Sequence, residues 1–264
     1  MIQQKARVLW NRRISNDYFK LGLTCLGYET AAPGQFVMVQ IQGQNAPLLR
    51  RPFSIHGLLA PEDSNPGIEI LYKVVGNGTR LLSEIREHQT VDLLGPLGNS
   101  FLLPPPGPRI FLVGGGIGVP PLVFLAKTLH SRGMDMSRCH MFLGGRSKTD
   151  LLCRETFLDL GMQLHITTDD GSDGTQCLIT DPVDQAVADL SPDIIYACGP
   201  LPMLACLVGI STTKSIRCQI SIEAMMACGI GACLGCAVPK AGGTDGYWHV
   251  CKDGPVFEAD QVDI

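Results

Sequence analysis

The sequence predicts a mixed β and α/β protein with three consecutive parts: a small antiparallel β domain, a doubly wound parallel-sheet domain and a cysteine-rich C-terminal segment. Three observations predict this organisation. Apolar and polar residues alternate with a period of two in the N-terminal part. After a proline-rich tract, the pattern changes to buried strands that alternate with helices. Four cysteines then follow between positions 228 and 251.

Composition limits the classes of protein to which this chain can belong. Of its 264 residues, 45% are hydrophobic and 17% are charged, which is typical of a globular protein with hydrophobic cores. The net charge of −4 disfavours nucleic-acid binding. The N-terminus lacks the apolar core of a secretory signal, and eleven scattered cysteines suit a reducing compartment better than a disulfide framework. We therefore expect a cytoplasmic protein.

One apolar run, residues 110–126, approaches the length of a membrane span. It contains four glycines and two prolines, which a single lipid-facing helix would tolerate badly. A strand, a glycine-rich turn and a helix explain this run better, so we expect no contact with a membrane.

The β domain is assigned to residues 1–103. Strands are predicted at Phe36–Ile41 and Ile68–Val74, because apolar and polar residues alternate there. Short strands separated by Gly and Pro are typical of a barrel or a sandwich. A short helix should start at Thr79, whose hydroxyl can cap the first turn. Its buried face is predicted to hold Leu81, Leu82 and Ile85.

Two segments of this domain carry residues suited to bind a phosphorylated ligand. Arg51-Pro52-Phe53-Ser54 combines a cation, a rigid proline, an aromatic ring and a hydroxyl. Gly76-Asn77-Gly78-Thr79 places flexible backbone before a helix N-terminus, where unpaired N–H groups attract anions. Taken singly, each segment is equally consistent with an edge strand or an ordinary helix cap. Together they suit the two ends of one ligand.

The α/β domain is assigned to residues 104–217, because the tract Pro104-Pro105-Pro106-Gly107-Pro108 predicts a stiff linker. Helices are predicted up to about residue 131, at 151–160 and at 202–209. Strands are predicted at 109–113, 139–144, 163–168, 193–198 and 217–222. This alternation predicts a doubly wound parallel sheet that binds its ligand at the carboxyl ends of the strands.

Two turns of this domain are candidates for nucleotide binding. The first, Gly114-Gly115-Gly116-Ile117-Gly118, follows a strand and precedes a helix, which favours a nucleotide phosphate. It does not satisfy G-x-G-x-x-G, because Pro121 stands where the final glycine is required. The second is Cys198-Gly199-Pro200, which taken alone is more consistent with a buried thiol at the end of a strand.

The C-terminal segment, residues 218–264, contains the strongest pattern in the chain. The spacing C-x4-C-x2-C-x14-C is that of a plant-type [2Fe–2S] centre, in which three thiolates come from one loop and the fourth from a later segment. Glycines between them permit sharp turns and allow N–H groups to point at sulfur. The predicted metal ligands are Cys228, Cys233, Cys236 and Cys251.

Other cysteine-based sites fit the segment less well. A structural zinc site generally has two separate C-x2-C or C-x2-H pairs, whereas this chain has one such pair. A Rieske centre replaces two cysteines by two histidines, and only His249 lies close by. An iron–sulfur cluster is therefore predicted, with zinc as the alternative.

Four motifs occur in a fixed order: R-P-F-S at 51–54, G-G-G-I-G-V-P-P at 114–121, C-G-P at 198–200 and the cysteine loop. This order resembles the ferredoxin–NADP reductase superfamily. Essentially the whole chain more closely resembles the electron-transfer (FAD and iron–sulfur) subunits of class 1B dihydroorotate dehydrogenases. The motif G-P-L-G at 95–98 and the C-terminal position of the cluster segment support the closer resemblance.

The resemblance implies an N-terminal antiparallel β-barrel that binds FAD, followed by an NAD-binding domain and a [2Fe–2S] segment. Arg51 should pair with the FAD pyrophosphate, Phe53 should border the isoalloxazine and Ser54 should lie near its N5 edge. The other residues implied for FAD are Pro52, Tyr72, Lys73, Val74, Asn77, Gly78 and Thr79. Those implied for the nicotinamide nucleotide are Gly114, Gly115, Gly116, Gly118, Cys198, Gly199 and Pro200.

Glu223 resembles a family position close to the flavin and the cluster. The resemblance places a basic residue two positions later, where this chain has Met225. Arg146 and Ser147 suit either a 2′-phosphate or contact with water, so only the resemblance favours NAD over NADP. Hydride transfer needs no side chain as acid or base, and no catalytic residue is predicted.

Nicotinamides exchange hydride, iron–sulfur clusters exchange single electrons, and flavin does both, so flavin would be the converter. The three parts leave no domain for an organic substrate, so electrons must pass to or from another protein. The resemblance implies that this partner is the FMN-containing catalytic subunit of dihydroorotate dehydrogenase, in a heterotetramer with two of each subunit. NAD⁺ would be the final acceptor, in pyrimidine biosynthesis.

Two other functions stay open at the level of the sequence. A stand-alone NAD(P)H reductase that feeds an oxygenase or a ferredoxin-like acceptor would share every motif. A zinc-stabilised nucleotide-binding module would carry no redox function.

Overall fold

The computed structural model of the protein describes residues 1–41, 47–59, 66–105, 107–243 and 245–264. Pro106, part of the predicted linker tract, lies outside the described residues. No helix in these ranges is both long and apolar enough to cross a membrane.

The N-terminal part of the described chain is a closed antiparallel barrel with the strand order β1-β2-β5-β4-β3-β6. Its strands are β1 (Ile2–Arg13), β2 (Tyr18–Thr24), β3 (Phe36–Gln40), β4 (Arg51–Leu59), β5 (Gly67–Lys73) and β6 (Thr90–Leu97). The structure therefore selects the barrel over the sandwich. Strands β3 and β5 confirm the two that alternation predicted.

Helix α1 (Asn77–Ser83) begins two residues before the predicted start at Thr79. The Thr79 hydroxyl accepts hydrogen bonds from the N–H groups of Val75 (2.9 Å) and Gly76 (3.1 Å). Thr79, which lies in the first turn of α1, therefore stabilises the residues that precede the helix. Leu82 is buried as predicted, while Leu81 and Ile85 are only half-buried.

The second part is an α/β sheet with the strand order β14-β11-β10-β7-β8-β9. Its parallel strands are β7 (Ile110–Gly115), β8 (Cys139–Gly145), β9 (Gln163–Thr168), β10 (Ile194–Cys198) and β11 (Arg217–Ser221). The helices are α2 (Val119–Ser131), α3 (Arg154–Asp159), α4 (Thr180–Leu190) and α5 (Leu201–Lys214). A hairpin follows, made of β12 (Ala237–Pro239) and β13 (Tyr247–His249), before the antiparallel strand β14 (Val256–Glu258).

Side chains of the sheet alternate between two cores, as a doubly wound fold requires. Phe111 and Val113 of β7 pack on the face that α4 and α5 cover. Ile110 and Leu112 of the same strand pack on the other face, against α2. The doubly wound sheet is confirmed, and β7 lies at its centre, where the strand order reverses between β8 and β10.

The helices differ from the sequence prediction in three respects. Helix α4 was not predicted, because aspartates and a proline weaken the apolar pattern around its two fully buried valines. Helix α3 is shorter than 151–160, since Cys153 adopts a left-handed φ of 60° before it. Helix α5 continues past Gly209 to Lys214, because a single glycine costs a helix interior only about 1 kcal/mol and does not by itself end it.

The boundary predicted between the α/β domain and the cysteine-rich segment, after residue 217, falls at the beginning of β11. Strand β14 returns from the C-terminal segment to pair with β11 in the same sheet. The cysteine-rich segment is therefore anchored at both ends to the α/β domain.

A buried polar cluster lies on the barrel strands next to α2. His56 is only 1% exposed, and its Nε2 lies 3.0 Å from Glu69 Oε1, which Lys20 Nζ approaches to 3.3 Å. The contact is close but poorly aligned, because within the described residues neither His56 ring nitrogen makes a hydrogen bond. Burial lowers the pKa of His56. Burial alone would raise the pKa of Glu69, but His56 and Lys20 bring it down to about 2.

These shifts predict that His56 makes the fold sensitive to mild acid. The folded state resists the proton, whereas the unfolded chain takes it up near pH 6.5, so stability should fall as the pH drops below that value. His56→Gln should flatten this dependence between about pH 6.5 and 5 by up to about 1.4 kcal/mol per pH unit. Urea unfolding of the cofactor-loaded protein measures the slope.

The matched control is His88→Gln, which changes an exposed histidine and should keep the wild-type slope. An unchanged slope in His56→Gln would contradict the prediction.

Candidate cofactor sites

The two segments predicted to bind a phosphorylated ligand meet in the structure. Arg51 is the first residue of β4. A Cβ atom added to Gly78, in the first turn of α1, would lie 3.3 Å from Arg51 Nε. Arg51 Nη1 donates to the carbonyl oxygens of Leu49 (2.9 Å) and Arg50 (3.2 Å), which holds the guanidinium in this place. A cation thus lies beside the first turn of a helix, an arrangement suited to a pyrophosphate.

The aromatic residues predicted to border the flavin lie one behind the other. The rings of Phe53 and Tyr72 are 5.8 Å apart in an edge-to-face arrangement, and Phe19 packs on Tyr72 at 5.6 Å. Tyr72 is only 1% exposed, and its hydroxyl donates to Asn11 Oδ1 at 3.1 Å. Tyr72 therefore supports Phe53 from the barrel interior, and direct contact of Tyr72 with a flavin stays a prediction.

The remaining residues predicted for FAD flank this pair. Pro52 and Ser54 lie on β4, paired with Met38 and Phe36 of β3. Val74 follows β5, and its N–H donates to Asp17 O at 2.7 Å. Lys73 turns towards the α/β domain instead, where its Nζ lies 3.3 Å from Asp150 Oδ1. Asn77 and Thr79 belong to α1.

The glycine-rich turn and the Cys-Gly-Pro turn are in direct contact, as the nucleotide prediction requires. Gly114 pairs with Cys198 across the adjacent strands β7 and β10. A Cβ added to Gly118 would lie 2.2 Å from Cys198 O, and one added to Gly115 would lie 2.8 Å from Pro200 Cδ. Only glycine allows this approach of two backbones.

This contact forms the crevice at the point where the strand order reverses, the usual ligand position in such sheets. Pro120 and Pro121 open α2 and contribute no N–H. The helix therefore offers fewer donors to a phosphate than the usual fingerprint does.

Cys198 and Glu223 lie at the same edge of the sheet. Burial, together with the charge of Glu223, raises the pKa of Cys198 to about 12, although Ser221 acts in the opposite direction. The thiol is therefore protonated at neutral pH. Glu223 itself is exposed just beyond β11. The two predicted residues are thus close enough to interact electrostatically at the carboxyl edge of the sheet.

The four cysteines of the C-terminal loop lie close together: Cys251 N–H donates to Cys236 Sγ at 3.4 Å, and Cys251 also interacts electrostatically with Cys228. Their sulfurs accept backbone hydrogen bonds: Gly231 N–H donates to Cys251 Sγ at 3.1 Å, and Cys233 N–H donates to Cys228 Sγ at 3.4 Å. The loop permits this because Gly229 and Gly231 adopt positive φ values of 73° and 80°.

The pKa values of these thiols differ strongly. Burial opposes ionisation of Cys228, but N–H groups of Ile230 and Cys233 lower its pKa to about 6. Burial and the neighbouring Cys236 raise the pKa of Cys251 to about 12. Four thiolates so close together need a positive charge between them.

The hydrogen bonds of the loop suit an iron–sulfur cluster. N–H groups of Gly231 and Cys233 point at cysteine sulfurs, as the thiolates of a [2Fe–2S] cluster require. A tetrahedral zinc, the alternative that the sequence left open, needs four sulfurs at about 2.3 Å from one centre.

The cysteine loop lies against the barrel beside the predicted flavin site. A Cβ added to Gly229 would lie 2.6 Å from Met38 Cγ, and Met38 pairs with Pro52 of β4. Met38 was not singled out in the sequence, because an apolar strand residue carries no functional signal. The C-terminal side of the segment is held by Asn99, whose Nδ2 donates to Asp253 O and Val256 O at 2.9 Å each.

Large apolar side chains are exposed around the loop. Met225, where the resemblance implies a basic residue, is 91% exposed. Ile230 and Leu234 lie within the loop and are also exposed. Such grouped apolar exposure is typical of a protein-contact surface.

Comparisons with known proteins match the cysteine-rich segment and the α/β domain to families. Residues 223–263 match the family model described as the iron–sulfur cluster binding domain of dihydroorotate dehydrogenase B. Residues 112–208 match the oxidoreductase NAD-binding domain. A solved structure, described as the NADH-dependent reduced ferredoxin–NADP oxidoreductase of flavin-based electron bifurcation, aligns with a TM-score of 0.83 at 28% identity. The alignment covers 98% of this chain and 89% of that one.

The fold and its three sites thus define an oxidoreductase of the ferredoxin reductase type that uses FAD, a nicotinamide nucleotide and an iron–sulfur cluster. Two curated relatives bear the name dihydroorotate dehydrogenase B (NAD(+)), electron transfer subunit. The protein of Caldanaerobacter subterraneus subsp. tengcongensis is 40% identical, with 98% of each chain covered. That of Listeria monocytogenes is 39% identical over the full length of both chains. The chain belongs to this family of electron transfer subunits.

Arg51→Ala should weaken FAD binding about ten- to a hundredfold, because it removes a charged hydrogen-bond donor worth about 1.5–3 kcal/mol. The flavin-to-protein ratio after gel filtration measures the loss. Arg86→Ala, an exposed change beyond α1, serves as the control and should retain FAD. A wild-type ratio in Arg51→Ala would refute the assignment.

Cys233→Ser should bleach the iron–sulfur absorption while FAD stays bound, because the loop lies beside the flavin site without forming its phosphate contacts. Visible spectra and iron analysis of the purified protein test this. Cys206→Ser alters an exposed cysteine of α5 and should keep the cluster. Loss of FAD with intact cluster absorption would contradict the site assignment.

Proposed function

We propose that the protein is the electron-transfer subunit of an NAD-dependent dihydroorotate dehydrogenase. It would pass electrons from the flavin of a catalytic subunit, through its own cluster and FAD, to NAD⁺ in pyrimidine biosynthesis. The observation that carries the proposal is the contact of the cysteine loop with β3 at Met38, beside the Arg51–Ser54 strand. This contact supports a one-electron site next to the proposed flavin site.

The individual residue roles are part of the proposal. Arg51 and the start of α1 bind the FAD pyrophosphate, Phe53 borders the ring and Ser54 lies near its reactive edge. The crevice between Gly114–Gly118 and Cys198–Pro200 binds NAD. Bound FAD supplies the exchange between single electrons and hydride. The chain's own residues bind, orient and shield the three carriers.

The partner is proposed to be the FMN-containing catalytic subunit, in a heterotetramer with two of each subunit. The exposed apolar residues around the cluster support contact there, because electrons must leave the cluster over a short distance. A cytoplasmic location is supported by the eleven cysteines, all of which are described and none of which forms a disulfide. The printed names of the relatives support NAD over NADP.

Co-expression with a catalytic subunit should yield a stable complex that reduces NAD⁺ when dihydroorotate is added. The separate chain should oxidise NADH with an artificial acceptor but leave dihydroorotate unchanged. Absorbance at 340 nm and gel filtration measure both. An active chain that instead reduces a ferredoxin or an oxygenase, and forms no complex, would establish the stand-alone reductase.

A further inference from the structure

A buried polar contact joins the barrel to the α/β domain at Tyr18, Lys73 and Asp150, here called the interdomain triad. The Tyr18 hydroxyl donates to Asp150 Oδ1 at 2.5 Å, and Lys73 Nζ lies 3.3 Å from the same oxygen. Lys73 also lies over the Tyr18 ring, 4.8 Å from its centroid. Tyr18 and Lys73 are directly paired across β2 and β5, so both project from one face of the barrel.

Tyr18 and Asp150 are shielded from water, whereas the Lys73 side chain is 29% exposed. Asp150 is 9% exposed, and Tyr18 is also buried, in a cluster with Leu71 and Leu152. Burial opposes ionisation of Asp150, but Tyr18 and Lys73 hold its pKa below the usual range. The carboxylate therefore stays charged, and charge-assisted hydrogen bonds in such a place are strong and directional.

Asp150 belongs to the turn that follows β8 at the carboxyl edge of the sheet. The Asp150 N–H donates to Ser147 O at 3.0 Å, and a Cβ added to Gly145 would lie 2.9 Å from the Asp150 Cβ. Arg146 lies in the same turn, and its carbonyl oxygen accepts from Asp170 N–H at 3.1 Å. Holding Asp150 thus holds the turn beside the nucleotide crevice.

The other end of the triad lies on the strand that supports the flavin site. Lys73 directly follows Tyr72, whose ring packs edge-to-face against the ring of Phe53. The triad therefore connects the strand behind the flavin position with the turn beside the nucleotide position. The His56–Glu69–Lys20 cluster differs, because all three of its members belong to the barrel.

We propose that Tyr18, Lys73 and Asp150 are positioning residues that set the approach of the nicotinamide to the flavin. The inference rests on the proposed function, and it assigns the Lys73 ammonium to the domain contact. Hydride transfer needs the reacting atoms about 3–3.5 Å apart, and a misplacement of about 1 Å can cost a hundredfold in rate. A fixed contact between the two domains supplies that accuracy.

The test measures flavin reduction by NADH in the full chain loaded with FAD and cluster, by stopped flow over a range of NADH concentrations. Asp150→Asn keeps the shape of the side chain and removes its charge, and Tyr18→Phe removes only the hydroxyl. We expect the limiting rate to fall about tenfold in Asp150→Asn and less in Tyr18→Phe. The nicotinamide–flavin charge-transfer absorption should weaken in parallel.

A double-mutant cycle separates positioning from general destabilisation. The loss in the double variant should be smaller than the product of the single losses, because both changes break one network. The control is Arg217→Gln, which breaks the Arg217–Glu258 ion pair (2.5 Å) within the sheet and should keep the wild-type rate. Rates are expressed per FAD-loaded molecule, so a variant that folds poorly is still measured correctly.

Wild-type limiting rates in both variants would overturn the inference. So would a weaker NADH affinity with an unchanged limiting rate, because the turn would then serve binding alone. If NADH failed to reduce the FAD bound to the wild-type chain, that result would overturn the proposed function itself and the inference with it.

Discussion

The rest of the structure depends on the contact between the cysteine loop and the barrel. Gly229 lies on Met38, in space that no larger residue could share without a shift of the methionine. Met38 pairs with Pro52, so the loop lies one strand away from the proposed flavin contacts. The rate of electron transfer falls steeply with distance, and this packing keeps the cysteine loop next to the strand proposed to bind the flavin.

The same principle of close backbone approach organises the nucleotide side. Gly118 and Cys198 meet at a distance that excludes any Cβ, which joins the two turns into one crevice. The carboxyl ends of β7 and β10 therefore present their turns together. Asn99 holds the C-terminal segment in place, because its side chain forms hydrogen bonds with three backbone groups of that segment.

Charge is arranged differently in the two buried polar clusters. The interdomain triad buries one carboxylate between a phenol and an ammonium, a fully partnered arrangement. His56, by contrast, is buried beside Glu69 without a well-aligned hydrogen bond. A satisfied network holds one geometry, whereas an imperfect one makes the fold sensitive to protonation.

The sequence by itself determined the features that local pattern carries. The cysteine spacing predicted an iron–sulfur segment and the glycine turn after a buried strand predicted a nucleotide-binding domain, and family models match both. Alternation located β3 and β5, but left barrel against sandwich open, because closure depends on pairing between distant strands. Only the tertiary structure decided that Tyr72 lies behind Phe53, that Lys73 reaches Asp150 and that Gly229 packs on Met38. Each of these contacts joins residues from different strands or domains, and no local spacing encodes such an encounter.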